Sequence, residues 1–182
     1  MISFLLLLIL AWSFYIGYRR GLVLQVYYLV ATIVSAYFAG NFYQSLGEKF
    51  HLLIPYANPK EGIGTFFFRS DQLFQLDKVF YAGIGYLLAF TVFYSIGRLL
   101  GLFVNLIPKD KIDGKYFRIG AGVLSVGVTL FVLQMILTIL ATVPLEAVQN
   151  SLEKSLVAKH MIQSIPITTN FIKQIWVTKL IG

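Results

Sequence analysis

From Met1 to Tyr18 the chain carries no charged residue, and after Arg19 and Arg20 it carries none again until Glu48. A two-arginine interruption between two such apolar runs fits one setting well. In a bilayer, helices satisfy their own backbone polar groups, and a basic turn holds the connection at the cytoplasmic headgroups. The stretch Ile16 to Gln25 therefore predicts a helical hairpin in a membrane, and with it an all-α integral membrane protein.

Composition agrees. The chain is 58% hydrophobic and 13% charged, whereas soluble domains hold about 45–50% apolar and about 25% charged residues. One crossing needs about 20 apolar residues, so four spans fit: 2–18, 22–40, 79–99 extending to 107, and 119–143. These make a transmembrane bundle over 1–143, followed by an amphipathic tail over 144–182. The arginines follow the first apolar run instead of preceding it, which predicts a retained helix and not a cleaved signal. The net charge of +7 is spread beside apolar segments. That placement points to anionic lipid headgroups and not to nucleic acid.

Within the second span, Ala31, Ser35 and Ala39 fall four apart and form a small-residue stripe suited to helix packing. Gln25, near its start, is expected at headgroup level. Beyond Gly40, Phe42, Leu46, Phe50 and Leu53 alternate with Asn41, Gln44, Ser45, Glu48 and Lys49. This predicts an amphipathic continuation lying along the interface. Pro55, Pro59, Gly62 and Gly64 then break the chain. The third span carries Gly97 and Gly101 on one face, a second packing surface, with Arg98 expected to snorkel to the headgroups. In the tail, Leu145, Val148, Leu152 and Leu156 predict one apolar face, and Phe171, Ile172, Ile175, Trp176 and Leu180 a second.

Orientation follows from charge. Arg19, Arg20, Lys109, Lys111, Lys115 and Arg118 are concentrated in two short loops. The positive-inside rule puts those loops in the cytoplasm and both termini outside.

Catalytic signals are missing. The two histidines, His51 and His160, have no second histidine or carboxylate at the i+4 spacing of a helical zinc site. Cysteine is absent. Gly120, Gly122 and Gly127 lack nucleotide-loop spacing. No enzyme activity, cofactor or metal is expected. Two readings stay open: an accessory or scaffold protein, with membrane-protein partners or further copies of itself, and a small oligomeric channel or transporter. In the second, Arg98, Gln25 and Gln134 would line a polar path. Sparse intramembrane polarity favours the first.

The segment Gly17-Tyr-Arg-Arg-Gly-Leu-Val-Leu-Gln25, after an uncharged helix, resembles the colicin V production (CvpA) family of bacterial inner-membrane proteins. The likeness continues through the small-residue second helix into Tyr43–Leu46. It then takes in Asp113 ahead of the glycine-containing fourth span, and an amphipathic tail with Ser164 and Pro166. The resemblance implies an accessory role in toxin (colicin V type bacteriocin) production or envelope function, in the bacterial cell membrane. Replacing both Arg19 and Arg20 by neutral residues should give mixed orientation, read by reporter fusions, since it removes two of six orienting bases.

Overall fold

The computed structural model describes residues 2–51, 55–56, 76–104, 114–164 and 171. All regular structure in them is α-helical: α1 Ile2–Arg20, α2 Leu22–His51, α3 Leu76–Val104, α4 Lys115–Ala141, α5 Glu146–Glu153 and α6 Leu156–Gln163. The first four are long and apolar enough to cross a membrane. Lys109 and Lys111, Asp113 and the second apolar face of the tail around Trp176 lie outside the described residues.

One residue links α1 to α2. Gly21 has φ 85°, the left-handed region that glycine enters without strain. Its N–H donates to the Gly17 carbonyl at 3.2 Å and its carbonyl accepts from Gln25 N–H at 3.2 Å, so the reversal leaves its own backbone groups paired.

Although α1 and α2 are consecutive, they barely touch. The predicted hairpin is a chain connection and not a packing unit. Instead α1 packs on α4, α4 on both α2 and α3, and α2 most extensively on α3, so that α2, α3 and α4 share one core and α1 joins them mainly through α4. Small residues decide these pairings, because lipid tails offer no hydrophobic drive for association and helices gain by close backbone approach. On one side, Gly17 lies against Ala121, Gly122 and Ser125; a Cβ at Gly17 would overlap the Ser125 side chain and sit 2.6 Å from the Ala121 carbonyl oxygen. On the other, a Cβ at Gly85 would collide with the Tyr43 carbonyl and lie 2.7 Å from the Gly47 nitrogen.

Helix α2 is one continuous 30-residue rod. Residues 41–51 do not turn to lie along the interface as their amphipathic spacing predicts; they continue along α3. The reason is the stripe itself: Ala31, Ser35 and Ala39 extend at the same spacing to Tyr43 and Gly47, and all five are buried. Ala36, Ala39 and Tyr43 join Val79, Ala82, Tyr86, Ala89 and Phe90 of α3 and Phe131 and Met135 of α4 in one core. Phe42, assigned to the apolar side of that amphipathic pattern, is 50% exposed.

The tail departs from its pattern too. Leu145, Val148, Leu152 and Leu156 do not share one face, because the helix stops at Lys154 and restarts at Leu156. Leu152 is 1% exposed but Leu156 is 80% exposed. Ser155 caps α6 by accepting the Ala158 N–H at 3.2 Å, and its hydroxyl bonds the Ser3 hydroxyl at 2.8 Å. Leu152, Ala158, Met161 and Ile162 then pack against Leu6, Leu137 and Ala141. This part of the tail closes the end of the α1–α4 pair.

Gly85→Leu should lower the thermal unfolding midpoint in detergent, with overpacking costing about 1–3 kcal/mol. Gly97→Ala should be far milder, since a methyl there meets only the Ala31 Cβ, at 3.2 Å. Ser155→Ala should cost about 1 kcal/mol through loss of the cap.

Candidate functional site

The helix bundle has two chemically different ends. At one lie the C-terminus of α1, the N-termini of α2 and α4 and the C-terminus of α3. Among the described residues this end carries Arg19, Arg20, Arg98, Lys115 and Arg118 and no acid. Arg19, Arg20, Lys115 and Arg118 are thus gathered by the antiparallel packing of α1 on α4. At the opposite end Glu48, Asp77, Glu146 and Glu153 accompany Lys49, Lys78, Lys154 and Lys159.

At the arginine end, Arg20 places its guanidinium carbon 5.2 Å from the centroid of the Tyr28 ring, a cation–π geometry. The rings of Tyr27 and Tyr28 cover Gly101, whose Cβ would come within 2.9 Å of Tyr28 Cε1 and 3.0 Å of Tyr27 Cε1. Tyr27 donates its hydroxyl to the Gly97 carbonyl at 2.7 Å. The two glycines therefore serve one contact with α2: Gly97 faces Ala31 of the stripe, and Gly101 faces the two tyrosines instead of Ser35 or Ala39. Arg98 is exposed between them. Since α3 continues to Val104, Arg98 stands roughly 9 Å short of the helix end.

The three residues of the postulated polar path are not assembled. Gln25 is 2% exposed and its Oε1 is buried without a hydrogen-bond partner, which differs from an amide at headgroup level. Gln134 is 1% exposed. It neighbours Met135, which packs with Ala36 and Ala39 on α2, about three turns along from Gln25. Arg98 belongs to neither buried group. Other buried hydroxyls close on their own helices: Thr32 to the Tyr28 carbonyl at 2.7 Å, Ser35 to Ala31 at 2.6 Å, Thr138 to Gln134 at 2.8 Å.

Two concavities accompany this arrangement. An apolar groove of about 710 Å³ runs between α2 and α4, lined by Thr32, Ile33, Ala36, Tyr37, Val128 and Phe131, with Phe171 of the tail at its side. A polar pocket of about 570 Å³ lies between the far ends of α2 and α3, bordered by Gln44, Glu48, His51, Asp77, Lys78 and Tyr81. His51 and Tyr81 hold their rings 4.9 Å apart. Asp77 Oδ1 is buried without a hydrogen-bond partner. Among the described residues no group of histidines and carboxylates is arranged to hold a metal ion. Sequence reasoning placed His51 at the interface and passed over Asp77. The available signal was Gln44, Glu48 and His51, spaced four and three on one face of a helix whose adjacent face is apolar.

Beside this pocket Tyr56 donates its hydroxyl to the Thr142 carbonyl at 2.6 Å, tying the segment after α2 to the end of α4. Burial first, then the negative charge of Asp77 and the neighbouring Tyr81, push its pKa up from 10.0 to about 12. The folded protein thus holds the phenolic proton more tightly than the unfolded chain. Stability from this clasp is intact below pH 10 and is lost as the pH rises toward about 12. Tyr56→Phe should flatten that alkaline loss, measured as unfolding midpoint against pH.

No solved structure matches the chain. A protein described as "Uncharacterized transmembrane protein YshB", from Bacillus subtilis (strain 168), is 25% identical over 179 residues, covering 97% of each chain. The profile of the family described as "Colicin V production protein" matches residues 2–166. That span takes in all four membrane helices, both glycine contacts and the docked tail helices, and the chain belongs to the colicin V production protein family.

Proposed function

We propose that this protein is a non-catalytic accessory or scaffold protein of the bacterial cell membrane, serving toxin (colicin V type bacteriocin) production or envelope function. The observation that carries the reading is the broad exposed apolar surface of α1 and α2, with Phe4, Trp12, Ile33 and Tyr37 on it. Such a surface can meet lipid or other membrane proteins. Buried hydroxyls bonded to their own helices, and the separation of Arg98, Gln25 and Gln134, argue against a conducting path through one copy. Family membership supports the link to toxin production.

Charge supports an orientation with the arginine end in the cytoplasm, and with the start of α1 and the tail outside. Among the described residues, bases without acids at one end, and both signs at the other, are the asymmetry on which the positive-inside rule acts.

Reporter fusions after residue 20 or 113 should report cytoplasm, and fusions at 60 or 182 the outside; a cytoplasmic signal at 60 would reverse the map. Purified protein in liposomes should conduct no ions or small solutes. Flux that Arg98→Ala abolishes would replace the scaffold with a transporter. Co-purification from native membranes should recover stoichiometric membrane-protein partners or further copies of the chain.

A further inference from the structure

The arginine end contains more than an orienting charge. Arg20 of α1 sits over the ring of Tyr28 of α2. The Tyr28 ring in turn lies on Gly101 of α3, its hydroxyl 3.2 Å from where a Cβ would stand. Arg98 lies one helical turn before Gly101, which places it beside the same tyrosine-lined junction. Tyr94, a further turn back, shares the side of α3 that carries Arg98. Its ring stacks on Phe90 at 5.6 Å with the planes 8° apart, which fixes its direction. Its hydroxyl lies within electrostatic reach of both Arg98 and Arg20.

Neither arginine has a carboxylate partner among the described residues, and the Tyr94 hydroxyl makes no hydrogen bond there. Two like charges at one junction, beside exposed Leu99, Leu102 and Phe103, favour a bound anion. Water cannot surround guanidinium groups set among lipid-facing side chains as it does at a soluble surface, and planar guanidinium donors match phosphate oxygens in pairs. An anion with tails to lie along those apolar residues is a phospholipid.

We propose that Arg20 and Arg98, with Tyr28 and Tyr94 between them, hold the phosphate of an anionic phospholipid in the leaflet at the arginine end. Arg20 arrives pre-oriented by its ring contact, Arg98 reaches outward from within the apolar segment, and the Tyr94 hydroxyl donates a third hydrogen bond. Arg19, exposed on the neighbouring position of α1, takes no part. The site depends on the helix junction and is independent of which way the protein faces.

The test uses the full chain in phosphatidylcholine nanodiscs with and without phosphatidylglycerol, reading retained phosphatidylglycerol by native mass spectrometry. Arg98→Gln and Arg20→Gln should each weaken retention about fivefold, the scale of one base near an anionic surface. Arg98→Lys should fall between, because it keeps charge but not paired donors. Arg19→Gln should change little. Equal retention by the wild type and the Arg20→Gln/Arg98→Gln double variant would overturn the site. A loss on Arg19→Gln as large as on Arg98→Gln would also overturn it, by showing diffuse attraction. Thermal stabilisation by inorganic phosphate in phosphatidylcholine alone, with no preference for phosphatidylglycerol, would assign the junction to a free anion and overturn the lipid.

Discussion

Backbone-to-backbone contact at glycine holds this protein together. At Gly47 and Gly85 two helices meet with no side chain between them, and at Gly17 a third helix lies directly on the Ala121–Ser125 surface of a fourth. In water such contacts supplement an apolar core. In a bilayer the surroundings are as apolar as the core, and dispersion at short range has to do most of the work. The exposed Phe4, Leu5, Trp12, Ile33, Val92 and Leu102 are accordingly lipid-facing and not defects. Which helices pair follows from which own a smooth strip, not from their order in the chain.

Charge acts on a second level. The glycine contacts bring particular helices together, and the bases mark one end of the assembly. The two systems meet at Gly97 and Gly101, where the smooth strip of α3 brackets Arg98 and receives Tyr27 and Tyr28. A packing surface there also sets the position of a guanidinium group.

Much of this is legible in the sequence, and unevenly so. The four spans and the helical class are written in long uncharged runs, and the resemblance around Gly17–Gln25 leads to the family that the profile match shows. The stripe Ala31–Ser35–Ala39 is visible by spacing. Its continuation to Tyr43 and Gly47 is hidden because tyrosine is not small and polar residues surround the glycine. Pairing of α1 with α4 is less legible: both helices are apolar on every side, and the face that packs is marked only by short runs of small residues, Ser13 and Gly17 on α1 and Ala121, Gly122 and Ser125 on α4. The break at Lys154–Ser155 escapes for another reason. A leucine every three or four residues reads as one helix, and only the contact with Ser3, far away in sequence, gives Ser155 a reason to interrupt it.

At 30 residues α2 is about 45 Å long, against roughly 30 Å of hydrocarbon. Because α3 accompanies it, the surplus is a paired, rigid stub and not a frayed end. Glu48, His51, Asp77 and Lys78 ride on that stub, and charged groups favour water over acyl chains. The groove between α2 and α4, beside Ile33 and Val128, is lined by apolar side chains that suit acyl depth. The molecule therefore has two addresses in two solvents. Molecules dissolved in water reach the stub without entering the membrane, and molecules diffusing sideways in the bilayer reach the groove without leaving it. Neither class of visitor competes for the other's position.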